Sequence, residues 1–167
     1  MRHIIGILLQ NESGALSRVA GLFSSRGYNI ESLSVSATED PAVSRVTLVT
    51  KGSDAVVQQI VNQLHKLIDI VAVDDMTSDD HLERELALMR VRLRAAQRPV
   101  VQKLLAQAGA RVLSDERDCQ IIELTSSEAA ITELAGNLAA QAELLEIVRS
   151  GALAMLRQER ILHVVES

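Results

Sequence analysis

Two hydrophobic periods alternate along the first half of the chain and predict its elements. Apolar runs or strict alternation, which are typical of strands, occupy His3–Leu9, Ile30–Ala37, Arg45–Thr50 and Ile68–Val73. A helical spacing places Leu16, Val19, Ala20 and Phe23 on one face, and likewise Val57, Ile60, Val61 and Leu64. Ser13 and Gly27 are the predicted start and stop residues of the first helix. The order strand-helix-strand-strand-helix-strand predicts a ferredoxin-like domain over residues 1–76.

The same order recurs in the second half of the chain. The predicted strands are Arg84–Leu93, Arg111–Leu113, Cys119–Leu124 and Leu144–Val148. Between them, Pro99 and Gly109 bound one predicted helix, and Ser127 caps another. The acidic stretch Asp74–Asp80 is typical of a connection, so we place a linker at residues 77–81. The fold class is therefore α+β, with two βαββαβ domains in tandem. The second domain covers residues 82–167 and includes a tail from Ser150 to which the pattern assigns no element.

Composition and charge exclude several classes of protein. Apolar residues make 47% of the chain and charged residues 23%, as in a globular protein. One Phe, one Tyr, no Trp and a net charge of −5 argue against nucleic-acid binding, although RNA-recognition modules share the ferredoxin-like topology. No apolar run reaches the ~20 residues of a membrane helix, and we expect no signal peptide. A single cysteine, Cys119, fits a reducing compartment, so the expected location is the cytoplasm.

Catalytic chemistry has little support in the sequence. His3, His65, His81 and His163 share no metal-ligand spacing, and no glycine cluster matches a phosphate-binding motif. We expect Cys119, which lies inside an apolar strand pattern, to be a core residue rather than a nucleophile. A Ser/His/Asp site leaves no reliable local trace, so an enzyme hidden in the second half stays an open alternative.

The most informative segment, which we call the candidate loop (residues 11–16), joins the first strand to the first helix. A helix start presents unpaired N–H groups and a positive dipole end, which suit a small carboxylate. Gly14 permits close approach to the backbone, and Asn11 offers an amide that could meet an ammonium group. Asn29, just before the next strand, could supply a further contact. An ordinary turn explains the same residue types, so both interpretations stay open.

Three arginines, Arg90, Arg92 and Arg94, alternate along the first strand of the second half and share one predicted sheet face. They could bind an acidic partner. A solvated face balanced by neighbouring acids is the simpler interpretation.

A family resemblance rests on residues 11–33. Asn11-Glu12-Ser13-Gly14-Ala15-Leu16-Ser17-Arg18, then Gly21-Leu22-Phe23, and then Arg26-Gly27-Tyr28-Asn29-Ile30-Glu31-Ser32-Leu33 resemble an ACT domain. More narrowly, they are similar to the small regulatory subunit of acetohydroxyacid synthase, also called acetolactate synthase. The segment Leu64–Leu67 fits the same family, and the resemblance is specific over roughly residues 1–75. In the second half it is looser and rests on Glu83–Leu86 and Glu146–Gly151.

The resemblance implies a function that composition does not reveal. Such subunits have no catalytic site; they activate a large catalytic subunit and in many bacteria confer feedback inhibition by valine in branched-chain amino-acid biosynthesis. The implied cofactors, thiamine diphosphate, Mg²⁺ and FAD, belong to that partner, and none is expected on this chain. A homodimer is expected, with the effector between two ACT domains. Asn11, Gly14, Ala15 and Leu16 of one chain would face Asn29 and Ile30 of the other.

One alternative lies close to this interpretation. The chain could be a stand-alone amino-acid sensor of the ACT type that acts on another enzyme. Co-purification of a thiamine-dependent synthase would separate the two.

Overall fold

The computed structural model describes residues 1–157, which divide into two compact units. The first unit contains Met1–Leu82 and the segment that begins at Ala152; the second is Glu83–Gly151. The sequence predicts a linker at 77–81 and a second domain that includes the tail. In the structure the segment from Ala152 belongs to the first unit instead.

The first unit begins with a four-stranded antiparallel sheet and two helices. Its elements are β1 (Arg2–Gln10), α1 (Ala15–Ser25), β2 (Ile30–Ala37), β3 (Val43–Lys51), α2 (Asp54–Leu64) and β4 (Ile70–Asp75). The strand order is β2-β3-β1-β4, which is the ferredoxin-like order. Alternate residues of β1, such as Ile5 and Ile7, face the helices and are fully buried with Phe23 and Leu64. Burial of each such side chain contributes roughly 1.5–3 kcal/mol.

Helix α1 begins and ends at glycines. Gly14 is its N-cap residue with φ 86°, and Gly27 lies beyond its C-terminus with φ 69°. Both values lie in the left-handed region, where residues with a Cβ are disfavoured. The predicted stop at Gly27 is therefore confirmed, whereas the predicted start at Ser13 is wrong.

The buried stripe of α1 is rotated from the predicted one. Ala15, Val19, Leu22 and Phe23 are buried, while the predicted members Leu16 and Ala20 are exposed. The helix is turned so that Ala15 and Leu22, rather than Leu16 and Ala20, pack into the core of the first unit. Leu16, at the end of the candidate loop, is an apolar side chain exposed to solvent.

Strand β4 starts two residues later than predicted. Ile68 is 86% exposed and lies in the turn before the strand, whereas Asp69 is buried. At the other end, Asp74 and Asp75 belong to β4, and Met76 is fully buried, so the acidic stretch is not all connection.

The second unit repeats the first topology. It contains β5 (His81–Arg92, whose first two residues belong to the first unit), α3 (Arg98–Ala108), β6 (Arg111–Glu116), β7 (Cys119–Ser126), α4 (Glu128–Gln141) and β8 (Glu143–Arg149). The order is β6-β7-β5-β8, and Ala87, Met89 and Val91 of β5 are buried under the helices. Pro99 in the first turn of α3, Gly109 at its end and the Ser127 cap of α4 are as predicted. Cys119 is half-buried.

The described part of the tail forms a strand, β9 (Leu153–Leu156), that belongs to the first unit. It pairs with β5, and just beyond it the Arg157 amide donates to the carbonyl of Asp80 at 3.0 Å. The sequence pattern assigned no element here because a four-residue strand containing alanine gives little periodic signal. The remainder of the predicted tail, residues 158–167, lies outside the described residues.

Strand β9 covers the face of the first sheet that the helices leave open. Ala152 and Ala154 are buried against Ile4, Val49 and Met76. The outward residues Leu153 and Met155 are 57% and 68% exposed. Two hydrogen bonds fix the segment: Ala152 N–H donates to Ser32 Oγ at 3.0 Å, and Arg45 Nη2 donates to the Ala154 carbonyl at 3.3 Å.

Candidate functional site

The candidate loop ends at a helix start that has no capping side chain of its own. Gly14 occupies the N-cap position of α1, and glycine has no side-chain oxygen to offer. In contrast, Ser53 accepts a hydrogen bond from the Val56 amide of α2, and Ser127 accepts one from Ala130 of α4. The first-turn amides of α1 therefore depend on acceptors from elsewhere.

The backbone of the candidate loop is held at both sides. The Asn11 amide donates to the Ala42 carbonyl at 2.7 Å, and Asn11 Nδ2 donates to the Pro41 carbonyl at 3.0 Å. One residue earlier, the Gln10 amide donates to the Asp69 carbonyl at 2.8 Å. The loop is thus fixed to the β2–β3 connection on one side and to the start of β4 on the other.

An ion pair lies directly behind the candidate loop. Arg18, in the second turn of α1, donates from Nε and Nη2 to the two carboxylate oxygens of Asp69, the second bond at 2.7 Å. The Asp69 side chain is only 4% exposed, whereas that of Arg18 is 47% exposed. The hydrogen bonds from Arg18 hold the pKa of the Asp69 carboxyl below its usual range despite its burial. The same hydrogen bonds raise the pKa of the Arg18 guanidinium.

Arg18 also contacts the loop at Gly14, because its backbone amide donates to the Gly14 carbonyl at 3.0 Å. A Cβ placed on Gly14 would lie 3.2 Å from Arg18 Nη1, which is closer than most real contacts of this kind. The missing side chain of Gly14 therefore has two consequences: it permits φ 86°, and it leaves room for the guanidinium.

The other predicted residues of the loop differ in accessibility. Asn11, Gly14 and Leu16 are exposed and can meet a ligand. Ala15 is 1% exposed, so only its backbone could take part.

Asn29 and Ile30 lie at the opposite end of the sheet from the candidate loop. Gln10, just before the loop, pairs with Val43 of β3, whereas Ile30 pairs with Thr50. Positions 43 and 50 are seven residues apart along β3, which at ~3.3 Å per residue is about 23 Å. Within one chain the six predicted residues therefore form two separate groups.

Two residues of this site, Arg18 and Asp69, have no role predicted from the sequence. Arg18 lies within the motif at residues 11–18, and its position four residues after Gly14 places its side chain back over the loop. Asp69 lies within the predicted strand Ile68–Val73, where its signal is an acidic residue near the edge of an apolar run.

Two of the three alternating arginines are paired with neighbouring acids. Arg90 lies 3.7 Å from Glu146 and Arg92 lies 3.1 Å from Glu143, both across the β5–β8 pair. Arg94 lies beyond the end of β5, where its amide donates to Gln97 Oε1 at 2.7 Å. This agrees with the solvated-face interpretation.

The described residues offer neither a metal site nor a membrane-spanning helix. Within residues 1–157, no group of three or more His, Cys, Asp or Glu side chains is arranged to hold a metal ion. None of the helices in that range is both long and apolar enough to span a bilayer.

The first unit is a ferredoxin-like domain whose helix α1 begins at an uncapped glycine beside an exposed loop, and its family match makes it an ACT domain. Residues 5–72 match the family described as AHAS small subunit-like ACT domain, and residues 84–158 match that described as small subunit of acetolactate synthase. The chain belongs to the family of acetolactate synthase small subunits, which are regulatory rather than catalytic.

Similar proteins extend over nearly the whole chain. The acetolactate synthase isozyme 3 small subunit of Escherichia coli (strain K12) is 37% identical, covering 97% of this chain and 99% of that protein. The acetolactate synthase small subunit of Haemophilus influenzae is 39% identical, covering 96% and 98%. The crystal structure of the small subunit from Thermotoga maritima has a TM-score of 0.84 at 32% identity and covers 96% of this chain and 99% of that one.

Proposed function

We propose that this chain forms a homodimer that binds valine or another branched-chain amino acid and thereby regulates the catalytic subunit of acetolactate synthase. The dimer activates the catalytic subunit, and the effector, acting as a feedback inhibitor of branched-chain amino-acid biosynthesis, reduces that activity. The effector site combines Asn11, Gly14, Ala15 and Leu16 of one chain with Asn29 and Ile30 of the other.

The observation that carries this proposal is the register of the first sheet. The two groups of site residues are about 23 Å apart in one chain at ~3.3 Å per residue, so a single chain cannot hold both against one small ligand. Strand β2 is an edge strand of that sheet. Edge strands invite pairing, and a two-fold axis makes such pairing self-complementary.

Antiparallel pairing of β2 with β2 of a second chain would bring the two groups of site residues together. A two-fold axis near the middle of β2 sets Ile30 of one chain opposite Ala37 of the other. Ala37 pairs with Ser44 of β3, and Asn11 hydrogen-bonds to Ala42 in the adjoining connection. Asn29 and Ile30 of one chain then approach the end of the sheet that carries the candidate loop of its partner.

The chemistry of the two groups fits a free amino acid. The uncapped start of α1 suits the carboxylate, and asparagine carbonyls suit the ammonium group. Leu16, which is exposed, and Ile30, which is half-buried, offer an apolar wall for a branched side chain. Because the site is shared, effector binding and dimer geometry are thermodynamically linked.

Catalysis in the assembly belongs to the partner. Thiamine diphosphate, Mg²⁺ and FAD are bound there, and this chain contributes a binding surface and the effector site. The single cysteine, Cys119, is consistent with the reducing environment of the cytoplasm, where we place the assembly.

Calorimetric titration of the purified protein with valine, leucine and isoleucine tests the proposal. We expect saturable binding of at least one of them, and a dimer at micromolar concentration in sedimentation equilibrium. The sample should also raise the activity of the acetolactate synthase catalytic subunit. A monomer that binds none of the three amino acids would contradict both the dimer and the effector site.

A further inference from the structure

Asp69 is the point at which three parts of the first unit meet. Its backbone carbonyl accepts the Gln10 amide at the entrance to the candidate loop. Its carboxylate accepts two hydrogen bonds from Arg18 of α1. Along the chain it directly precedes Ile70, the first residue of β4.

The carboxylate side of this junction is buried. The Asp69 side chain is 4% exposed, and both of its oxygens accept hydrogen bonds from one guanidinium in a bidentate geometry. Displacing the Arg18 guanidinium would leave the Asp69 carboxylate buried without its counterpart, so the positions of the two side chains are energetically coupled.

The exposed side of Arg18 faces the loop. Its backbone amide donates to the Gly14 carbonyl at 3.0 Å, and its Nη1 lies beside the space that a Cβ on Gly14 would fill. A shift of the Gly14 backbone toward or away from a ligand is therefore passed to Arg18. Through the ion pair, that displacement reaches Asp69 and the start of β4. From β4 the chain continues by way of Met76 and Thr77 to β5.

We propose that Arg18 and Asp69 are positioning residues that couple the effector loop to β4, so that they transmit effector binding without contributing most of its affinity. The inference rests on the proposed function, because it concerns the same effector site. On this proposal, binding of the effector inhibits the enzyme only because the ion pair transmits the binding from the loop to β4. An effector shifts an equilibrium only through contacts that differ between the two states, and this pair is the side-chain contact that joins α1 beside the loop to the start of β4.

A second ion pair in the chain supplies a matched control. Arg98 at the start of α3 donates from Nη1 and Nη2 to Asp115 of β6 at 2.7 and 3.0 Å. It joins a helix to a strand in the same way, but it belongs to the second unit. Asp69→Asn and Asp115→Asn therefore make the same chemical change at two bidentate pairs, one with a buried carboxylate and one whose carboxylate is 41% exposed.

The experiment measures binding and inhibition separately. Valine affinity is determined by calorimetry on the full-length wild type, Asp69→Asn and Asp115→Asn; maximal inhibition is then measured after each is reconstituted with the catalytic subunit. We expect Asp69→Asn to keep its valine affinity within threefold of wild type while losing at least three quarters of the maximal inhibition. Asp115→Asn should match wild type in both measurements, and Arg18→Lys, which keeps the charge but not the bidentate geometry, should be intermediate in inhibition.

Other results would overturn the proposal, each for a different reason. If Asp69→Asn is inhibited like wild type, the pair is not the coupling element. If its affinity falls in parallel with inhibition, or if Asp115→Asn loses inhibition equally, the pair supports the fold or the site rather than transmission, and the proposal is wrong. If wild type itself binds no branched-chain amino acid, the proposed function fails and this inference fails with it.

Discussion

At the residue scale, three properties of the candidate site depend on Gly14. It has a positive φ, it starts a helix without a capping side chain, and it leaves space for the Arg18 guanidinium. Each property follows from the absence of a Cβ. Substitutions at position 14 can therefore separate the effect of an added charge on effector binding from the effect of an added side chain.

We predict that Gly14→Asp abolishes valine inhibition while activation of the catalytic subunit survives. A carboxylate there would lie close to the expected carboxylate of the effector, and two such charges 4 Å apart repel by about 4 kcal/mol at an effective dielectric constant of ~20. Salt and the nearby Arg18 reduce this repulsion, so we expect the affinity for valine to fall by at least ~100-fold, or about 2.7 kcal/mol.

Gly14→Asn is the control for this prediction. Asparagine has nearly the same shape and also tolerates a positive φ, but it carries no charge. We expect it to lose less than about tenfold in affinity, by the smaller cost of crowding Arg18. Equal losses in the two variants would show that shape decides, and a fully inhibited Gly14→Asp enzyme would place the effector carboxylate elsewhere.

At the element scale, strands and helices with a clear hydrophobic period could be predicted from the sequence. A strand that depends on distant strand partners could not. The alternation along Arg84–Leu93 gave the buried and exposed faces of β5, and Gly27 and Gly109 gave the helix ends. Strand β9 was missed because its inward residues, Ala152 and Ala154, are small and gain their strand partners from distant parts of the chain.

The candidate site shows the same division. Asn11, Gly14 and Leu16 could be chosen from local sequence because a turn before a helix has a recognisable composition. The role of Asp69 could not, because its partner Arg18 is 51 positions away and only the fold brings them together.

We predict that Ala154→Asp destabilises the first unit and that Met155→Asp does not. Ala154 is 7% exposed against Ile4, Val49 and Met76, so a carboxylate there loses its hydration and should lower the free energy of unfolding by about 2 kcal/mol or more. Met155 is 68% exposed on the other side of the same strand, and its substitution should stay within about 0.5 kcal/mol. Urea unfolding of both variants measures the difference, and equal stability of the two would mean that β9 does not cover the sheet in solution.

At the scale of the whole molecule, the first unit is built from two separate stretches of chain, Met1–Leu82 and the segment from Ala152 onward. The second unit, Glu83–Gly151, is thus an insertion between them. A chain that stops after the fourth strand lacks β9, so a clean separation of the two units has to retain that strand.

We predict different behaviour for two shortened chains. One lacks residues 83–151 and joins Leu82 to Ala152 through a flexible Gly/Ser linker of about six residues; the other ends at Asp80. The first should remain dispersed, bind valine and activate the catalytic subunit at least partly, but should respond poorly to valine. The second should self-associate, because Ile4, Val49 and Met76 lose their cover and form an exposed apolar patch.

Light scattering and the reconstituted assay check this pair. Full valine inhibition with the first shortened chain would place the whole switch in the first unit. No activation at all would place the surface that docks the catalytic subunit in the second unit. If the chain ending at Asp80 stays as dispersed as the other, the cover supplied by β9 is dispensable.

The insertion also sets an order of events during protein synthesis. The hydrogen bonds from Ala152 to Ser32 and from Arg45 to Ala154 span 120 and 109 positions, so the first unit cannot be completed when its own first 82 residues leave the ribosome. The ribosome must first translate the 69 residues from 83 to 151, which at about 5–20 residues per second takes roughly 3–14 seconds. Throughout that interval Ile4 and Val49 lack the cover of β9, and transiently exposed apolar surface of this kind makes a partly folded chain prone to aggregation.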